Sequence, residues 1–120
     1  MKKTFPIPKG DQLRAAAHGW DSIYKLLNQY DTKQKNNALA YRSFLTITEK
    51  DLADYLRVNL ELAQRHILPQ AAAEPYHDVP ILKAVEDHYE VYANDHGKPI
   101  NVKKFNTIWE AAAAYIFYFW

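Results

Sequence analysis

The chain of 120 residues contains no cysteine, so no disulfide or cysteine-bound zinc can hold its fold. Stability must come from an apolar core. A domain of this length buries roughly two thirds of the surface its unfolded chain exposes. Hydrophobic residues make up 48% of the sequence, enough to supply that core, and charged residues 24%, which excludes a disordered acidic or basic tail. The length fits one domain and is too short for two ordinary ones. Iron–sulfur clusters and cysteine nucleophiles are excluded on the same ground as disulfides. A cysteine-free chain fits a cytoplasmic location. The first nine residues carry Pro6, Pro8 and Lys9 where a signal peptide needs an apolar stretch, so none is read. The longest apolar run is 111–120, half of what a membrane span requires, and no membrane partner is expected.

The formal charge of +1 is unevenly spread. Residues 1–42 hold eight basic and three acidic side chains, 43–78 hold three and six, and 79–120 hold four and five. The N-terminal third is therefore the only basic region.

Hydrophobic periodicity predicts helices along most of the chain. Residues 1–10 read as an extended arm and 11–120 as a single helical domain. Leu13, Ala17, Trp20, Tyr24, Leu27 and Tyr30 share one face of a helix over 11–30, with Asp11 as its N-cap and Gly19 inside it. A short helix is expected around Ala38–Leu45. Thr48, followed by Asp51, marks the next start as a capping-box pattern. Two short helical patterns follow, Leu52–Leu56 and Leu62–Ile67, ended by Pro69. Asp78-Val79-Pro80 opens a helix over 78–95, in which Ile81, Leu82, Val85, Tyr89 and Tyr92 share a face and Gly97 is the stop. A hairpin turning through 94–97 is the rival for this stretch. Asn101 caps a last helix, apolar on all sides from Ala111 onward, which places it centrally or under a partner. The expected fold is all-α, a compact bundle of five or six helices.

Residues 48–67 carry the functional suggestion. They read Thr48-Glu49-Lys50-Asp51-Leu52-Ala53-Asp54-Tyr55-Leu56-Arg57-Val58-Asn59-Leu60-Glu61-Leu62-Ala63-Gln64-Arg65-His66-Ile67. Leu52, Leu56 and Val58 can pin two helices around a turn. Ala53 is small enough for a close crossing, and Asn59 suits an N-cap. This segment resembles the helix-turn-helix of small bacterial and phage DNA-binding proteins. The resemblance implies a second helix lying in the major groove of double-stranded DNA, with Leu60, Glu61, Gln64 and Arg65 exposed. Gln64 and Arg65 would read bases, Lys50 and Arg57 would contact phosphates, and Asn59 at the start of the second helix completes the DNA-binding set. Lys33, Lys35 and Arg42, from the basic third, would contact phosphates. Arg57 stands where the family often has glycine, and Glu61 on the reading face repels phosphate.

Other chemistry is thin. The histidines form no HExxH pattern, no glycine-rich phosphate loop exists, and no serine sits in a nucleophile elbow. No catalytic residue, metal or cofactor is expected, and the chain is read as non-enzymatic. Seventeen residues are aromatic, a class enriched at interfaces. Tyr115, Phe117, Tyr118 and Trp120 offer a seam for a homodimer or a protein partner. Two functional readings follow: a small DNA-binding regulator, or a small helical protein that binds and inhibits or scaffolds a protein partner, as immunity proteins and phage inhibitors do.

Overall fold

The computed structural model describes residues 3–4, 6–30, 45–69, 72–75 and 79–118. Among them are five helices and three strands, in the order α1 (Lys9–His18), α2 (Trp20–Leu27), α3 (Glu49–Arg57), α4 (Leu60–Gln64), β1 (Pro80–Ala84), β2 (Tyr89–Asp95), β3 (Lys98–Phe105) and α5 (Ile108–Ile116). The protein is mixed α and β, which corrects the all-α expectation.

The strands form one antiparallel sheet in sequence order, β1-β2-β3. The helix expected over 78–95 is instead a pair of hairpins. Ile81, Leu82, Tyr89 and Tyr92 satisfy a helical period, but Leu82, Tyr89 and Val91 pack against the helices by strand alternation. Turn chemistry settles the choice. Asp95 pairs with Lys98 across a two-residue loop, His96 with φ 52° and Gly97 with φ 83°. Positive φ at both central residues is the signature of the type I′ hairpin, whose twist matches that of the strands. Gly97 thus turns a hairpin rather than ending a helix.

Asn101 also lies in β3, not at a helix start. It takes φ 52° where the register between β2 and β3 slips between Val91 and Ala93, a β-bulge. The last helix begins seven residues later, with Thr107 as its N-cap. The Thr107 side chain accepts from the Glu110 amide and donates to the Glu110 carboxylate.

The predicted helix over 11–30 is broken into α1 and α2 by Gly19, whose φ of 104° ends the first helix. Pro8, not Asp11, occupies the N-cap position of α1. The break is covered from two sides. The His66 imidazole donates through Nε2 to the Ala17 carbonyl at 2.7 Å, and burial pushes its pKa down. The Trp20 indole donates to the Ile116 carbonyl at 3.1 Å. The expected helix around Ala38–Leu45 falls almost wholly outside the described residues.

Helix α5 is the centre of the core. Ala111, Ala112, Ala113, Ala114 and Ile116 are all buried, and α5 touches α1, α3, α4 and all three strands. Four alanines in a row let neighbours approach from every side. Its all-round apolar character therefore reflects a central place in the core. Among the described residues no helix is long and apolar enough to cross a membrane.

A single amide stitches the N-terminal half together. Gln12 is fully buried. Its Nε2 donates to the Ile7 carbonyl at 2.8 Å and to Thr46 Oγ1 at 3.0 Å. Its Oε1 accepts from the Thr46 and Ile47 amides at 2.7 and 3.2 Å. All four hydrogen-bonding positions of the amide are thus filled. Gln12→Leu would orphan two backbone amides and one carbonyl, each costing about 1–3 kcal/mol when buried. Allowing for partial relaxation, it should lower unfolding free energy by about 3 kcal/mol, measured by urea denaturation. A change within about 0.5 kcal/mol would show that water replaces the amide.

Candidate functional site

Helices α3 and α5 both begin with a threonine cap followed three residues later by an acid. At α3, Thr48 Oγ1 accepts from the Asp51 amide while the Asp51 carboxylate accepts from the Thr48 amide, a complete capping box. The N-terminal end of a helix favours carboxylates because its unpaired amides and dipole present partial positive charge. The two helix starts accordingly bring Glu49, Asp51 and Glu110 into first turns.

Between these helices lies a groove of about 300 Å³. Glu49, Lys50, Ala53 and Asp54 form one wall, as a stripe on the side of α3 away from buried Leu52 and Leu56. Phe105, from the end of β3, and Trp109 and Glu110, from the first turn of α5, form the other. Three carboxylates and one ammonium give the lining a formal charge of −2. Both aromatic rings are half-buried, so they form a firm apolar floor. The Arg57 guanidinium sits over the Trp109 ring, 5.7 Å from its centroid, a cation–π contact. Such a lining suits a cationic side chain: the stem lies on the rings while the head meets carboxylates.

The residues expected to bind DNA are distributed less favourably. Leu60, Glu61, Gln64 and Arg65 are all exposed, as the sequence pattern implies. Asn59 stands at the N-cap position of α4, but its Nδ2 donates back to the Tyr55 carbonyl rather than capping. Helix α4 has five residues and continues as tighter turns to Ile67. Lys50 lies among the carboxylates of the groove, and Arg57 lies on Trp109. A phosphate reaching Lys50 would meet Glu49, Asp54 and Glu110 in the same groove. Lys33, Lys35 and Arg42 lie outside the described residues. Of the expected interface, Tyr115 is half-buried with its ring 5.6 Å from that of His66, and Phe117 and Tyr118 pack partly on the chain's own core. Trp120 lies outside the described residues.

Phe105, Trp109, Asp54 and Glu110 are not among the site residues that the sequence pattern suggests. The signal for the groove was the second threonine–acid box, Thr107 and Glu110, which the expected start at Asn101 obscured. Among the described residues no three His, Asp or Glu side chains are arranged to hold a metal.

Compared with models of known protein families, with curated proteins and with solved structures, the chain matches none.

One acidic cluster is a structural clasp. In the loop between β1 and β2, His88 Nδ1 meets the Asp87 carboxylate at 2.6 Å and Nε2 meets Glu90 at 3.0 Å. Carboxylate oxygens only accept, so the two contacts favour the protonated ring, in which both nitrogens donate. The hydrogen bond to Asp87, then that to Glu90, raises its pKa above 6.5. A raised folded pKa contributes stability that is full below the unfolded value and lost as pH rises through the folded one. The stability advantage of the wild type over His88→Gln should therefore be largest on the acid side and shrink towards mild alkali, as read from urea midpoints across that range. A pH-independent difference would show an uncharged ring.

Proposed function

We propose that this chain is a protein-binding module that takes a protruding Lys or Arg side chain of its partner into the groove between α3 and α5. The observation that carries this reading is the lining itself, two aromatic rings beneath a net formal charge of −2. A buried aromatic contact with a charged rim is the usual composition of an interface anchor point. Opposite charge also steers the partner in and rejects anionic competitors. The chain would act by occupancy, covering a basic feature of its partner as an inhibitor or scaffold does.

A second reading, double-stranded DNA, draws on the helical pair α3–α4 and on the exposure of Gln64 and Arg65. It is the weaker one because the cations expected to meet phosphate stand beside carboxylates or on an aromatic ring.

Random peptides displayed against the full chain should enrich for a Lys or Arg next to apolar residues. For one such peptide, Asp54→Lys and Trp109→Ala should each raise Kd about tenfold, roughly 1.4 kcal/mol, while Arg65→Ala should leave it unchanged. Asp54 is exposed, so that variant tests the groove without disturbing the core. Enrichment without basic residues, or equal binding by Asp54→Lys, would overturn the proposal. Salt-sensitive binding of random duplex DNA that Arg65→Ala weakens would favour the DNA reading instead.

A further inference from the structure

A second groove, of about 400 Å³, runs along α1 and α2 and carries the opposite charge. Arg14 and His18 from α1 and Ser22, Lys25 and Gln29 from α2 and the turn after it recur at spacings of three and four. The helix break at Gly19 leaves this stripe on one surface. The N-terminal arm closes one side. The Lys3 amide donates to the Gln29 carbonyl at 2.8 Å, and Lys3 Nζ reaches Gln29 Oε1 at 3.4 Å. The single carboxylate, Asp11, pairs with Arg14 at 3.7 Å. Both partners of that pair are exposed, so it is weak and leaves the guanidinium able to turn. With His18 neutral, the lining has a formal charge of +2.

We propose that this groove binds a small organic phosphate monoester, with Arg14, Ser22 and Lys25 holding the phosphate. Near neutral pH a phosphate monoester is close to a dianion, which matches the local charge; a phosphodiester carries half of it. The donors differ in kind and suit a tetrahedral group. Arg14 offers a fork, Lys25 a point charge and Ser22 a hydroxyl. Lys25 Nζ and Ser22 Oγ make no hydrogen bond or ion pair among the described residues. The His18 ring donates through Nδ1 to the Arg14 carbonyl at 2.8 Å, so the Nε2 of the neutral ring is an acceptor, suited to an N–H or O–H of the organic part and not to the phosphate. Ala15 and Leu26 add an apolar wall for the organic part. Cavities of a few hundred Å³ commonly hold ligands of that size. This site is independent of the acidic groove.

The test is an amide NMR titration of the full chain with AMP, inorganic phosphate, adenosine and a random DNA duplex, at about 0.15 M salt. AMP should saturably shift the amides of Arg14, Ser22 and Lys25, and Lys25→Ala should weaken that response about tenfold. A weaker response to inorganic phosphate at the same amides supports an organic phosphate as the ligand; an equal one supports the free ion at the same phosphate site. Three results would overturn the proposal: silence towards both phosphates, a response to adenosine equal to that to AMP, or a response to the duplex alone. An AMP response unchanged in Lys25→Ala would do the same. Lys25 is exposed, so the variant keeps the fold, which its thermal melt verifies.

Discussion

The Gln12 amide decides where the N-terminal half can sit. It bonds to the arm at Ile7 and to the extended stretch at Thr46 and Ile47, two segments far apart in sequence. Among the described residues neither Ile7 nor Thr46 and Ile47 lies in a strand, so the amide takes the place of a sheet there. A glutamate there would have to bury a charge or stay protonated, and a leucine would leave three polar groups dry. Because Thr48 caps α3 one residue beyond Ile47, the amide also fixes the start of α3. The wall of the acidic groove is therefore positioned by a glutamine in another helix. Lys9, at the start of α1, reinforces the same junction through its ion pair with Asp51 at 3.2 Å.

Helix α5 supplies the complementary constraint. Its four alanines sacrifice side-chain volume so that α3, α4 and the sheet can close around one helix. Packed interiors reward such closeness through many weak contacts. The cost is that α5 has little side-chain surface to offer a partner along its middle. Its contribution to the groove falls on the first turn, where Trp109 and Glu110 emerge beside the end of β3. Two of the three groove acids follow from helix physics, because Glu49 and Glu110 stand in the N-terminal turns of the helices that frame it, while Asp54 lies a turn further along α3.

The sequence was readable where local chemistry and global packing agree. The α3–α4 pair carries its own cap, its own leucine face and an exposed side that structure and pattern share. Helix α5 was legible as apolar on all sides, and its burial follows. The 78–95 stretch was not, because Ile81, Leu82, Tyr89 and Tyr92 fit the helical period, while strand alternation shows only in Tyr89 and Val91. The deciding information sat in His96-Gly97, where a histidine at positive φ replaces the more familiar Asn or Asp of a type I′ turn. Asn101 misled for a related reason: a residue type that caps helices also tolerates the positive φ of a bulge. Gln12 was invisible because one polar residue on an inward face looks like a gap in a stripe. Only its four partners, up to 35 positions away, reveal it as the junction. The acidic groove needed the true start of α5, and so inherited the error at Asn101.

The formal charge of +1 conceals most of what a ligand would experience. The molecule extends 48 Å along its longest axis, several times the screening length of about 8 Å at physiological salt. A ligand therefore responds to the few charges around its own binding surface. On that scale the chain presents −2 between α3 and α5 and +2 along α1 and α2. The imbalance arises from two separate causes. Capping places acids at helix starts, whereas the basic stripe on α1 and α2 has no capping role and no matching set of carboxylates. Arg14 alone among its cations has an acid partner there, and a loose one. Charge that helix chemistry requires needs no ligand to explain it; the acidic groove draws its functional weight from the aromatic floor beneath those acids. Charge that the fold does not require is the stronger pointer to a ligand, and in this chain it lies on the α1–α2 side.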